Sequence, residues 1–215
     1  VVSGSWARYA PLSGLLAVVL VVASIVVTGF DDVGTDASTQ EVIDFWSDND
    51  GQQIAGAAIG ALSLVPFLWF LGSLRSALRA AEGETGRLSA IAFAGGIVLV
   101  SGAAVDSSLQ FAVAESVGDV PAGVTQTLSV LYGNFFLVFP VGIGTLLLAT
   151  SVASLRHRVL PAWLGWVAFV LGIVSLTPVG FFAFLIVLLW IAVVSVVLYQ
   201  QQSEPTPTVA PAGSS

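Results

Sequence analysis

The chain has 215 residues, of which 56% are hydrophobic and 9% charged, with a mean hydropathy of +0.97 and a formal net charge of −7. Soluble domains carry about 25% charged residues, so a soluble globular protein is excluded and a membrane-embedded one is implied. The only cations besides one histidine are six arginines, and there is no cysteine or methionine, which excludes retinal Schiff-base, thiol, disulfide and iron–sulfur chemistry.

A helix rises about 1.5 Å per residue and the hydrocarbon layer is about 30 Å thick, so one crossing takes about 20 mostly apolar residues. Backbone in lipid must satisfy its own hydrogen bonds, which leaves helices or a closed barrel. The apolar runs lack the two-residue alternation of barrel strands. The expectation is therefore an all-α polytopic protein, a bundle of six transmembrane helices at 12–30, 54–74, 88–112, 124–155, 162–177 and 180–199.

Taken in order, the first run has a weak cationic flank and no small-x-small cleavage site before Asp32, so it reads as a retained span rather than a signal peptide. The segment 31–52 reads as an outer loop. Within it Ser38 and Glu41 have the spacing of a helix start, and Val42, Phe45 and Trp46 share one helical face. That pattern predicts a short helix lying at the membrane interface, with Trp46 in the aromatic belt. The second run contains Pro66 and the fourth Pro140, each expected to remove a backbone hydrogen bond and act as a hinge. Gly56 and Gly60 form a GxxxG pair, and Gly95 and Gly96 stand together in the third run. All four are expected to permit close helix packing. Residues 201–215 are polar and proline-rich and read as a disordered tail.

Charge sets the orientation. Arg8, Arg75, Arg79, Arg87, Arg156 and Arg158 all fall on one side of a six-span path, and the opposite side carries Asp31, Asp32, Asp36, Glu41, Asp44, Asp48, Asp50, Glu115 and Asp119. Cationic loops stay in the cytoplasm, so both termini are expected there, with the protein in a bacterial inner membrane.

Candidate chemistry is sparse. His157 lies in a loop between two arginines and is no axial haem ligand. The Asp48-x-Asp50-Gly51 run fails as a calcium loop, because Trp46 and Ala57 occupy its first and twelfth positions. Asp106 alone is ionisable within a span. Gln110 follows it by one turn, and Tyr132 and Asn134 in the fourth run lie at comparable depth. Asp106, Gln110, Tyr132 and Asn134 together offer a polar pocket in the outer half for a cation, a proton or a polar solute. The alternative is that Asp106 ties the third and fourth helices together through Asn134 or a serine.

The stretches Phe45-Trp46-Ser47-Asp48-Asn49-Asp50-Gly51, Phe67-Leu68-Trp69-Phe70-Leu71-Gly72-Ser73-Leu74-Arg75 and Gly86-Arg87-Leu88-Ser89-Ala90 resemble a group of uncharacterised six-helix integral membrane proteins of high-GC actinobacteria. The resemblance implies the topology and a bacterial inner membrane, and no activity. The expected function is non-catalytic: an accessory, packing or sensing component with no cofactor, no metal and no nucleic acid. Its partners would be the lipid bilayer and either another membrane protein or a second copy of itself. The second reading is a small transporter or channel built on Asp106.

Overall fold

The computed structural model describes residues 9–31, 33–34, 36–83, 85–177 and 180–203, and among these it is helical with no strand. A 3-10 turn, Ala10–Leu12, leads into α1 (Ser13–Thr28). It is followed by α2 (Thr39–Glu82), α3 (Arg87–Ser116), α4 (Ala122–Asn134), α5 (Val138–His157), α6 (Ala162–Ser175) and α7 (Gly180–Ser203). Five stretches are long and apolar enough to cross a membrane: Ala10–Thr28, Thr39–Glu82, Arg87–Ser116, Ala122–His157 and Ala183–Gln202. The protein is an all-helical membrane protein by that measure. The sixth expected crossing, 162–177, is represented by the 14-residue α6.

The helices α1, α2, α3, α5, α6 and α7 pack each on the next, and α7 closes back onto α1. The result is a ring. Its buried centre is aliphatic and aromatic, with Phe70, Leu74, Leu147, Leu164 and Val194 among its most enclosed side chains. Close approach of α3 to α5 depends on glycine. A Cβ on Gly95 would stand 2.5 Å from the Leu146 nitrogen, and one on Gly142 would stand 2.7 Å from the Leu99 nitrogen. The neighbours are backbone and cannot turn aside. A Cβ on Gly96 would meet the Leu71 side chain of α2 at 2.5 Å.

At one end of the ring the chain's first and last described turns meet. Tyr9 stacks on Tyr199 with ring centroids 5.9 Å apart, and Gln201 Nε2 donates to the Val159 carbonyl at 3.0 Å. The indole of Trp190 donates to the Leu164 carbonyl at 3.2 Å, so α6 and α7 run antiparallel. At the same end Glu82 bridges the turn between α2 and α3. Its two carboxylate oxygens accept from the Leu88 and Ser89 amides, each at 2.8 Å, and so satisfy orphan donors at the start of α3.

Two expectations are corrected at the other end. The segment 31–52 is not a loop throughout, because it is helical from Thr39 onward and continues without a break into the second apolar run. The start is fixed by a capping box: the Ser38 amide donates to Glu41 Oε2 at 2.8 Å, and the Glu41 amide donates to Ser38 Oγ at 3.4 Å. Trp46 does not lie in an aromatic belt. It is 1% exposed, packed with Val42, Val113 and Ala114, and its Nε1 donates to Ser129 Oγ at 3.0 Å. The fourth apolar run, 124–155, lies within one helical stretch long enough to cross a membrane, Ala122–His157, which tightens to a 3-10 turn at Phe135–Leu137 between α4 and α5. Pro140 sits in the first turn of α5, just past this 3-10 turn and inside the Ala122–His157 stretch. Pro66, by contrast, lies inside α2, which is continuous through it. At the C-terminus α7 extends to Ser203, past the expected start of the tail at 201, and 204–215 lie outside the described residues.

Truncating a fully packed tryptophan costs about 3–5 kcal/mol, and losing one hydrogen bond about 1 kcal/mol. Unfolding in detergent is accordingly expected to show a large loss for Trp46→Ala and a small one for Trp46→Phe. Equal behaviour of Trp46→Ala and the parent chain would mean that the indole is not packed.

Candidate functional site

The polar residues of the C-terminal half of α3 meet different neighbours. Gly95, Leu99 and Gly102 make a stripe towards α5, for a Cβ on Gly102 would collide with Val138. Asp106 continues that stripe by one turn. It is half-buried and has no hydrogen-bond or ion-pair partner among the described residues. Gln110, one further turn along, reaches α1 and α2.

There Gln110 enters a buried set of hydrogen bonds. Its Nε2 donates to Gln53 Oε1 at 2.7 Å and to Thr28 Oγ1 at 3.3 Å. Gln53 Nε2 in turn donates to the Thr28 carbonyl at 3.4 Å, and Ser24 Oγ donates to the Gly56 carbonyl at 2.8 Å. Gly56 and Gly60 make this possible. Thr28 Oγ1 occupies the place a Cβ on Gly56 would take, and a Cβ on Gly60 would lie 3.1 Å from Ser24 Oγ and 3.3 Å from Ser107 Oγ. The small residues thus bring three helices close enough for short polar side chains to reach across. Burying an amide unpaired is costly, whereas pairing two amides across helices fixes their register.

Beyond this clasp the first turns of α2, the last turns of α3 and α4 form a cap with its own small core. Thr39 Oγ1 donates to Gln126 Oε1 at 2.7 Å, and the Tyr132 ring meets Trp46 edge-on at 5.8 Å. Tyr132 therefore belongs to the cap core. Asn134 is exposed, and its Nδ2 donates to the Val130 carbonyl of its own helix at 2.8 Å. The four candidates are not gathered into one pocket: Gln110 is in the clasp, Tyr132 in the cap, Asn134 on the surface and Asp106 apart. Asn134 does not tie α3 to the following helix.

Two surface recesses are described, and neither lining includes Asp106. One of about 50 Å³ lies in the cap beside Gly34, Val42 and Ser129. The other, an open groove of about 740 Å³, lies at the opposite end of the ring beside Trp69, Gly72 and Phe93. Among the described residues no three histidine, aspartate or glutamate side chains come together as a metal site would require.

Thr28, Gln53 and Ser24 are absent from the sequence-derived candidates. The signal for them is a helical stripe: Ser24 and Thr28 are one turn apart, and Val42, Trp46, Asn49, Gln53, Gly56 and Gly60 recur at steps of three or four. Comparison with protein-family models, curated proteins and solved structures finds no match to this chain.

Replacing one clasp amide strands the other. Gln110→Leu is expected to destabilise the protein by about 1–3 kcal/mol in detergent unfolding, and Gln53→Leu with Gln110→Leu to cost less than the two single changes added together. Strict additivity would contradict a direct bond between the two amides.

Proposed function

We propose that the chain is a six-span protein of a bacterial inner membrane, with both termini cytoplasmic, acting non-catalytically as an accessory, packing or sensing component. Support for an even number of crossings comes from the Tyr9–Tyr199 stack and the antiparallel pairing of α6 with α7. Helix α6, at 14 residues, rises about 21 Å, which is short of a full crossing. Local thinning of the bilayer accommodates such a deficit at modest cost. Support for the orientation comes from Arg75, Arg79, Arg87, Arg156 and Arg158, which flank the turns at the end where the termini meet; Arg8 is outside the described residues. The likeness to the actinobacterial six-helix group belongs to the same proposal.

The observation that carries the accessory reading is the clasp. Thr28, Gln53 and Gln110 use their hydrogen-bonding groups on one another, which makes them packing elements rather than groups held ready for a solute. The cap above them, sealed by Trp46, offers a rigid outer surface to a membrane-protein partner or a second copy of the chain.

A second reading has one observation in its favour. Asp106 is partly buried without a partner among the described residues and shares a stripe with Gly102, on which a Cβ would meet Val138 at the start of α5. An ionisable group within a span is a functional hypothesis by default. In this reading Asp106 binds a proton, a cation or a polar solute in a small transporter or channel.

Liposomes containing the purified protein separate the two. The accessory reading expects no proton, sodium or potassium flux above that of empty vesicles, and an Asp106→Asn variant that differs from the parent only in stability. Flux that is present in the parent and lost in Asp106→Asn would overturn it in favour of transport.

A further inference from the structure

The groove of about 740 Å³ is formed where α2, α3, α7 and the start of α1 come together, at the end of the ring away from the cap. Its walls are Leu68, Trp69, Gly72, Ser73 and Ser76 of α2, Phe93 of α3, Ala10 and Gln202. The volume lies within the range of about 300–1,000 Å³ typical of small-molecule sites. Its wall is largely apolar, it opens sideways, and the Trp69 side chain beside it is 67% exposed. Gly72 forms part of the floor, and a Cβ placed there meets nothing within 4 Å. The hydroxyls of Ser73 and Ser76 donate to the Trp69 and Gly72 carbonyls of their own helix, so each keeps its acceptor capacity only.

The rim of the groove is cationic. The Arg75 guanidinium carbon lies 4.9 Å from the centroid of the Phe93 ring that lines it, a contact that fixes the cation at the groove. Arg79 follows Ser76 by one turn on the same stripe of α2 and is exposed. Neither arginine pairs with a carboxylate among the described residues. The described acid of that end, Glu82, is already bonded to the Leu88 and Ser89 amides. An apolar trough with an unpaired guanidinium set against its Phe93 wall is complementary to an acyl chain joined to an anionic phosphate head.

We propose that this groove binds one acidic glycerophospholipid, with an acyl chain along Trp69, Gly72 and Phe93 and its phosphate at Arg75. The guanidinium supplies bidentate donors matched to phosphate oxygens. The apolar wall selects a chain that a free phosphate lacks. The site depends on the groove facing lipid and not on which side of the membrane it lies, nor on whether the protein moves a solute.

The test is native mass spectrometry of the full chain released from nanodiscs of phosphatidylglycerol or of phosphatidylcholine. The proposal expects one phosphatidylglycerol retained per chain, retention of phosphatidylcholine lower by about tenfold, and no displacement by millimolar inorganic phosphate. Arg75→Gln should lower retention of phosphatidylglycerol by about tenfold while Arg158→Gln leaves it unchanged. Gly72→Leu adds an apolar side chain to the groove lining at a position where a Cβ meets nothing within 4 Å. It should abolish retention of both lipids, with the unfolding midpoint in lipid-free detergent unchanged as evidence of a folded chain. Equal retention of the two lipids, or an Arg75→Gln variant that binds like the parent, overturns the proposal. So does retention that rises severalfold once 204–215 are removed, which would give the groove to the chain's own tail.

Discussion

A helix of 44 residues is about 66 Å long, roughly twice the depth of the hydrocarbon layer. That single mismatch in α2 governs what surrounds it. The segment from Thr39 to about Gln53 extends beyond its apolar run, yet it carries Val42 and Trp46, which must be covered. The last turns of α3 and the whole of α4 supply the cover, and the chain passes from α4 through the 3-10 turn at Phe135–Leu137 into α5 of the ring. The cap is a small aqueous-type core mounted on a membrane bundle.

Between cap and ring lies the clasp of Thr28, Gln53 and Gln110. It stands where α1 ends and where the apolar run of α2 begins, the depth at which polar side chains first become affordable. Glycine at 56 and 60 lets it close. The same device recurs at Gly95 and Gly142, where α3 and α5 touch backbone to backbone. Helices in lipid gain little from the hydrophobic effect on association, so close van der Waals approach and interhelical hydrogen bonds carry the packing.

Hydropathy reads the apolar segments well, and the third run at 88–112 falls within α3 at Arg87–Ser116. Lipid tolerates few polar groups, so composition alone marks such segments. What it does not mark is structure outside the bilayer. The amphipathic face of 39–53 is legible as a helix, but its partners on α4, Ser129 for Trp46 and Gln126 for Thr39, are 83 and 87 residues away in sequence and leave no local trace. The 3-10 turn at Phe135–Leu137 is invisible for a related reason: its residues are as apolar as the helices either side. At the site, the spacing of Asp106 and Gln110 is a true property of α3, yet a four-residue step fixes only rough alignment on one helix. Which neighbour each side chain meets depends on the ring. Gln110 meets Gln53, and Asp106 meets neither it nor Asn134.

The continuity of α2 out of the membrane is tested most directly by amide hydrogen exchange of residues 40–52 with the protein in nanodiscs. A folded cap predicts protection of at least about 100-fold over an unfolded chain, falling to unfolded rates only near the capping box at Ser38. Exchange of 42–50 at unfolded rates, beside a protected 54–74, would contradict it: 31–52 would then be a loop after all, and Trp46 would have no core to fill.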